Sequence, residues 1–283
     1  MKEQKFIDVK KILKEKAPGL VKWLPGFVLS YLKHKLHEDE INHIMHTLKD
    51  VHGLEFNSRG LEMLGAKIEA INPHNIPIND RIILAANHPL GGLDGMAFVK
   101  TIGDVRPDVH FVVNDVLKSL KNYGDVFVGI NKIKRTSHGS LRTMESVLNT
   151  DETLGFFPAG LVSRKHKNGL VRDLSWKKSF VTQAIDHERL IVPVYIEGEN
   201  SSFFYRFANL RKRFGIDANI EMLFLPDEMF KQKEKVIRVH FGKAFDPKIL
   251  SRRRSHKGWA NYIKKYIYSE DFKKGVSFEE YIR

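Results

Sequence analysis

Residues 82–95 read Ile82-Ile83-Leu84-Ala85-Ala86-Asn87-His88-Pro89-Leu90-Gly91-Gly92-Leu93-Asp94-Gly95. Five consecutive apolar residues predict a strand covered on both faces, since a half-exposed strand would alternate with polar residues. Asn87, His88 and Pro89 end the run, and Pro89 fixes the backbone there. Gly91 and Gly92 allow dihedrals closed to other residues, so the chain turns sharply. Residues 95–103 then carry a helical pattern. Buried strand, tight turn and helix in succession form the repeating unit of an α/β sheet.

The same rhythm extends in both directions. Strands are predicted at 67–71, 81–86, 109–114, 125–130, 153–157, 190–196, 220–225 and 235–241, and helices at 95–103, 115–121, 138–148, 173–188 and 200–213. The expected fold is α/β: a mixed, largely parallel central sheet flanked by helices, with an N-terminal helical region. Three regions are expected: helical residues 1–65, a catalytic domain at 66–250 and a helical extension at 251–283. In the first, Pro18-Gly19 and Pro25-Gly26 break the helices. Leu20, Val21, Trp23, Leu24, Phe27, Val28, Leu29, Tyr31 and Leu32 follow, and they suit either packing on the main domain or contact with a membrane surface.

With 283 residues, 42% of them hydrophobic, the chain can bury a sizeable core. It has no cysteine, so thiol nucleophiles and thiolate metal sites are excluded. Met1 to Lys5 lead into mixed charge, and no run reaches about 18 apolar residues, so neither a signal peptide nor a membrane-spanning helix is expected. The formal net charge of +13 favours an anionic partner. Nucleic acid is the remote candidate, because no zinc-finger spacing or RNA-binding aromatic signature accompanies the charge. His34, His37, His43 and His46 cluster near Glu38, Asp39 and Glu40. They face several directions along a polar helix, and no metal site is expected.

Two turns carry the chemistry. His88 follows a buried strand, where α/β sheets place ligands. Asp94 can return to the imidazole, cap the following helix, or do both. A carboxylate on one ring nitrogen fixes the tautomer and leaves the other to accept a proton. Such a base would activate a hydroxyl or an amine toward an activated acyl group. The second turn, Phe156-Phe157-Pro158-Ala159-Gly160-Leu161-Val162-Ser163-Arg164, also follows a strand. Ser163 and Arg164 offer donors for a phosphate or carboxylate. A third stretch, Asp125 to Lys132, would bring Asn131, Lys132 and Arg135 to the same edge. No G-x-G-x-x-G fingerprint, Walker A loop or G-x-S-x-G elbow is present.

Across roughly residues 66–245, four blocks in this order resemble the glycerolipid (lysophospholipid) acyltransferase superfamily. Asn87-His88-Pro89 with Asp94 is similar to its histidine-aspartate motif. Phe127 to Lys132, Phe157-Pro158-Ala159-Gly160 and Val192-Pro193-Val194 are similar to its later blocks. Five residues separate His88 from Asp94 where the common motif has four. Ala159 stands where the common third block has glutamate. Both departures, and the Ser163-Arg164 ending, resemble the hemolysin-like branch, which includes enzymes that acylate the amine of ornithine or glycine.

The resemblance implies a glycerol-3-phosphate acyltransferase-like fold and an acyl-transferring enzyme of lipid biosynthesis. His88 would be the base and Asp94 its orienting partner. Asn131, Lys132, Arg135, Phe157, Pro158, Gly160, Ser163 and Arg164 would bind substrate, and Asn87, Pro89, Gly91 and Gly92 would shape the turn. The cosubstrate would be a thioester of acyl carrier protein or coenzyme A, with no bound cofactor and no metal. The expected acceptor is the amine of a small amino acid of glycine or ornithine type. The alternative is the hydroxyl of a lysophospholipid or glycerol phosphate. Acyl carrier protein and an anionic membrane surface are the expected partners, with the enzyme cytoplasmic and peripheral on the inner face of the cell membrane. The aromatic and cationic residues from Phe203 to Arg213 suit such contact, although a helix with a buried aromatic face would read the same way.

Overall fold

The computed structural model describes residues 5–16, 25–113, 117, 120–129, 143–217, 219–250 and 253–283. Its centre is a seven-stranded sheet. The strands are β1 (Lys67–Ile71), β2 (Ile82–Ala86), β3 (Val109–Val113), β4 (Phe127–Gly129), β5 (Thr153–Phe156), β8 (Leu190–Ile196) and β9 (Val236–Phe241), with the two strands of a separate hairpin falling between β5 and β8. The spatial order is β1-β9-β8-β2-β5-β3-β4. Every neighbouring pair is parallel except β8 with β9. The sheet is therefore mixed and largely parallel, as its apolar runs predict.

Strand β2 lies between β8 and β5. All five of its residues are buried. Because side chains alternate across a strand, Ile82, Leu84 and Ala86 enter one hydrophobic core while Ile83 and Ala85 enter the other. The first core is covered by α4 (Gly53–Met63) and α5 (Gly92–Gly103), through Phe56, Leu61, Phe98 and Ile102. The second is covered by α7 (Ser179–Asp186) and α10 (His256–Ile267), through Phe180, Trp259, Ile263 and Tyr266. The C-terminal helix thus completes the sheet's second face. Deep under the sheet's opposite end, the Arg189 guanidinium is fully buried and donates to the carbonyls of Val147, Leu148, Thr150 and Glu152.

Before the sheet, α1 (Val9–Lys16), α2 (Gly26–Lys35) and α3 (Glu38–Thr47) pack together. Buried Glu38 accepts from Lys5 Nζ at 2.7 Å and from the Val9 amide at 2.9 Å. His37 stacks on Phe230 at 4.1 Å and meets Glu40 and Asp227, so this histidine is spent on helix packing. Leu20, Val21, Trp23 and Leu24 lie outside the described residues. No helix among the described residues is long and apolar enough to cross a membrane.

Three elements depart from the sequence expectation. Residues 220–225 were expected as a strand, but Ile220–Phe224 is a 3-10 turn leading into α9 (Leu225–Phe230). A short apolar stretch such as Ile220 to Leu225, broken by Glu221, is ambiguous between the two states, and here the buried Glu221 and the following Pro226 favour the turn. The helix expected from 173 begins only at Ser179: a hairpin of β6 (Arg164–Lys165) and β7 (Val171–Arg172) is followed by irregular backbone at 173–178, where the Trp176 amide donates to Asn261 and its indole to Asp173. The strand expected at 125–130 begins only at Phe127, because Lys121–Val126 forms 3-10 turns kinked at Gly124, and most of the helix expected at 115–121 lies outside the described residues. Between these elements lie α6 (Met144–Leu148) and, after β8, α8 (Ser202–Arg213).

Candidate active site

Five strands, β4, β3, β5, β2 and β8, run parallel and so release their carboxyl ends at one edge of the sheet. Ligands bind at that edge in such sheets, because the loops there diverge and leave a crevice. Asn87 closes the edge beside β2. Its amide donates to the Ile196 carbonyl at 2.9 Å and its oxygen accepts from the Ile196 amide at 2.6 Å. That pair ties the histidine loop to β8 and fixes where the next residue emerges.

His88 emerges with Nδ1 2.8 Å from Asp94 Oδ1. Asp94 is fully buried, at the third position of α5. Its other oxygen accepts from the Leu90 amide at 2.6 Å and the Gly91 amide at 3.2 Å. One carboxylate therefore both caps the helix and orients the imidazole. Gly91 sits at φ +87, a conformation that side chains disfavour, and a Cβ there would stand 3.0 Å from Leu225. Gly92 lies in the ordinary region and opens the helix. Pro89 is buried and its carbonyl accepts from Asn200 Nδ2 at 3.2 Å.

The imidazole stacks on Phe157, centroids 4.1 Å apart at 16°. Its side chain is 16% exposed, and Nε2 has no hydrogen-bond partner among the described residues. Burial works against protonating this ring. The charge and hydrogen bond of Asp94, then the charge of Asp173, outweigh burial and leave the histidine pKa raised.

Phe157, Pro158 and Gly160 form the adjoining turn. Phe157 is the stacking platform, Pro158 is buried with its carbonyl accepting from the Lys177 amide at 3.0 Å, and Gly160 is exposed at φ +69. Ala159 points into the second core. Ser163 has a different place from the one expected of an anion donor. It is buried, its hydroxyl donates to Asp173 Oδ1 at 2.6 Å, and its amide donates to the His88 carbonyl at 2.7 Å. With both donors used on the loop, the Ser163 side chain is an internal brace and presents no free hydroxyl proton to a ligand.

Asp173, which the sequence reading passed over, organises this brace. Its Oδ1 accepts from the His88 amide at 3.1 Å as well as from Ser163, and its Oδ2 accepts from Trp176 Nε1 at 2.7 Å. Its own amide donates to Tyr268 Oη at 3.1 Å, and Lys264 donates to its carbonyl at 3.3 Å, which joins the C-terminal helix to the site. Burial raises the Asp173 pKa against the lowering effect of its donors.

Arg164 is 13% exposed and lies over the Phe204 ring. It donates to the Val162 carbonyl and to Glu221 Oε1, each at 2.8 Å. Arg211 holds the other oxygen of the same glutamate at 2.7 Å, and Glu221 is fully buried. Two guanidiniums against one carboxylate leave this trio one positive charge in excess, while the buried carboxylates of Asp94 and Asp173 lie against the histidine itself. Burial lowers the Arg164 pKa, although Glu221 opposes the effect. Asn131, Lys132 and Arg135 lie outside the described residues.

A histidine with one open nitrogen, held by a carboxylate and lying near a cluster of two arginines on one glutamate, is equipped to accept a proton from a nucleophile whose carrier is an anion. An acyltransferase family model matches residues 11–275. The chain belongs to the acyltransferase family. This acyltransferase is 41% identical over 264 residues to a lyso-glycine lipid O-acyltransferase of Bacteroides thetaiotaomicron, an alignment covering 93% of this chain and 97% of the relative. It is 39% identical, across 93% of its length and 94% of the relative's, to a lyso-glycine lipid O-acyltransferase of Phocaeicola vulgatus. Among solved structures it is similar to the 1-acyl-sn-glycerophosphate acyltransferase PlsC of Thermotoga maritima, at 17% identity, coverage of 88% and 87%, and a TM-score of 0.47.

Proposed function

We propose that the enzyme transfers a fatty acyl group from a thioester of acyl carrier protein or coenzyme A to the hydroxyl of a lyso-glycine lipid. The observation that carries this reading is the near full-length similarity to two lyso-glycine lipid O-acyltransferases. It favours the hydroxyl acceptor over the amine acceptor that the sequence motifs suggest. Chemistry favours it too. An amine is protonated at neutral pH and must lose a proton before it can attack, whereas a hydroxyl needs only a base during attack.

His88 Nε2 takes the hydroxyl proton as the oxygen bonds to the thioester carbonyl carbon. Asp94 stabilises the resulting imidazolium through Nδ1. The tetrahedral intermediate then collapses, the carbon–sulfur bond breaks, and the imidazolium returns its proton to the departing thiolate. The products are an ester and a free thiol. A glycine head group linked through nitrogen keeps its carboxylate, and the charge excess of Arg164 and Arg211 over Glu221 suits that anion.

The test is parallel turnover with one acyl carrier protein donor and three acceptors: lyso-glycine lipid, free glycine and lysophosphatidate. Mass spectrometry before and after mild alkaline hydrolysis distinguishes ester from amide. An alkali-labile product from lyso-glycine lipid is expected. Turnover of free glycine to an alkali-stable product, with lyso-glycine lipid untouched, overturns the assignment.

A further inference from the structure

Helix α8 has two unlike faces. Inward, Phe204, Tyr205 and Ala208 are buried and Arg211 reaches Glu221. Outward, Phe203, Phe207, Leu210 and Phe214 recur at steps of four, three and four, which places them on one stripe of a helix. Phe203 and Leu210 are half exposed, and Phe214 is 73% exposed. Phe203 and Phe207 stack at 5.9 Å, and Phe224 of the 3-10 turn meets them edge-on at 5.3 and 5.5 Å. Leu223 beside it is also exposed, which widens the patch. Residues 202–216 include Arg206, Arg211, Lys212 and Arg213 and no carboxylate. Arg206, Lys212 and Arg213 are exposed along the stripe.

We propose that this outward face of α8, with the 220–224 turn, is the surface on which the enzyme docks to an anionic lipid bilayer. The occupant follows from pairing the two properties. A soluble acidic protein would answer the cations and leave the aromatic stripe in water. A second copy of this chain would bring like charges together. An anionic leaflet takes the rings into its acyl boundary and the cations among its head groups. The docked helix would lie beside the histidine loop, since its inner face holds Arg211 on Glu221, Glu221 holds Arg164, and the neighbouring Ser163 is bonded to the His88 carbonyl. A lipid acceptor then reaches His88 head first while its chain stays in the leaflet. This purpose rests on the lipid-acceptor reading above, but the docking itself is measured without turnover.

The experiment is flotation of the full chain with phosphatidylglycerol-containing vesicles and with pure phosphatidylcholine vesicles, each without substrate. Two variants are compared with wild type: Phe203→Ser/Leu210→Ser/Phe214→Ser and Arg206→Glu/Arg213→Glu. Circular dichroism confirms folding, and turnover of a detergent-dispersed acceptor serves as the activity control. Wild type floats with the anionic vesicles, and each variant's partition coefficient falls about tenfold or more, in keeping with the contribution of single basic residues at anionic surfaces, while dispersed-acceptor turnover is retained. Variants that float like wild type overturn the proposal. So does a loss confined to self-association in sedimentation velocity, which would assign the face to a second copy. A rise confined to KM for the carrier-protein donor would assign it to that protein. If flotation behaves as expected and lyso-glycine lipid is not a substrate, the acceptor assignment fails and the docking surface stands.

Discussion

The base role proposed for His88 rests on what surrounds it. Asp94 occupies Nδ1 at 2.8 Å, and the charges of Asp94 and Asp173 overcome burial to raise the imidazole pKa above its ordinary 6.5. The proposed mechanism needs the neutral ring, so kcat/KM is expected to fall as pH drops through that raised value. Stability runs the opposite way. The raised pKa favours the folded state below about 6.5, and this contribution is lost as pH rises through the folded value. His88→Ala is expected to lose about 10²–10⁴-fold in kcat, the usual size of general-base catalysis, with little change in melting temperature. Asp94→Asn is expected to move the acid limb of the pH–rate profile to lower pH while cutting kcat. An unmoved limb would mean that another group sets it. Asp173 bonds the His88 backbone amide and not its ring, and so is proposed as a positioning residue. An asparagine there must point its amide either at Trp176 Nε1–H or at the His88 amide and Ser163 hydroxyl, so a donor meets a donor in either orientation. Asp173→Asn is therefore expected to cost about 1–3 kcal/mol in urea unfolding. It should also lower kcat more than it raises KM, and shift the acid limb down by less than Asp94→Asn does.

The elements that could be read from the sequence are those whose signal is local. Strand β2, its turn and α5 lie within residues 82–103, and the His88–Asp94 pair spans six positions, so strand pattern, glycine placement and helix cap all speak for one geometry. The largely parallel sheet was legible for the same reason, since covered strands leave continuous apolar runs. Asp173 was not legible. It lies 85 positions from His88 and is brought back by a hairpin of two-residue strands, too short to carry any period. Glu221 was hidden in a stretch that reads as a strand and folds as a 3-10 turn, and with it the partner that ties Arg211 to Arg164. Arg189 was equally silent, yet the packing at the lower edge of the sheet depends on it. Its guanidinium gathers the carbonyls that end α6 and open β5, and burial pushes its pKa down to about 10. Replacing it with methionine keeps the length and apolar stem but strands at least the Glu152 carbonyl. Arg189→Met is expected to lower stability by about 1–3 kcal/mol, with an unchanged urea m-value and normal turnover by the folded fraction.

The charge of the entire chain adds a property that no single side chain holds. A net +13 favours every anion, so its effect should appear in encounter and not in chemistry. The donor offers a clean comparison. Acyl carrier protein is a large acidic surface, whereas a short acyl thioester of N-acetylcysteamine is small and uncharged. At about 0.15 M salt the screening length is about 8 Å, and at 1 M it is about 3 Å, so higher salt removes long-range steering and leaves contacts within the pocket. Between low and high salt, kcat/KM with acylated carrier protein is expected to fall by about tenfold or more, within the range that steering supplies. The whole change should lie in KM, with kcat constant, and the N-acetylcysteamine thioester should show no comparable fall. The hydroxyl acceptor is supplied in detergent at saturation, so that release from a membrane does not mimic the effect. Equal salt dependence for the two donors would mean that salt acts on the site itself, through the charge excess of Arg164 and Arg211 over Glu221, and not on the approach of the carrier.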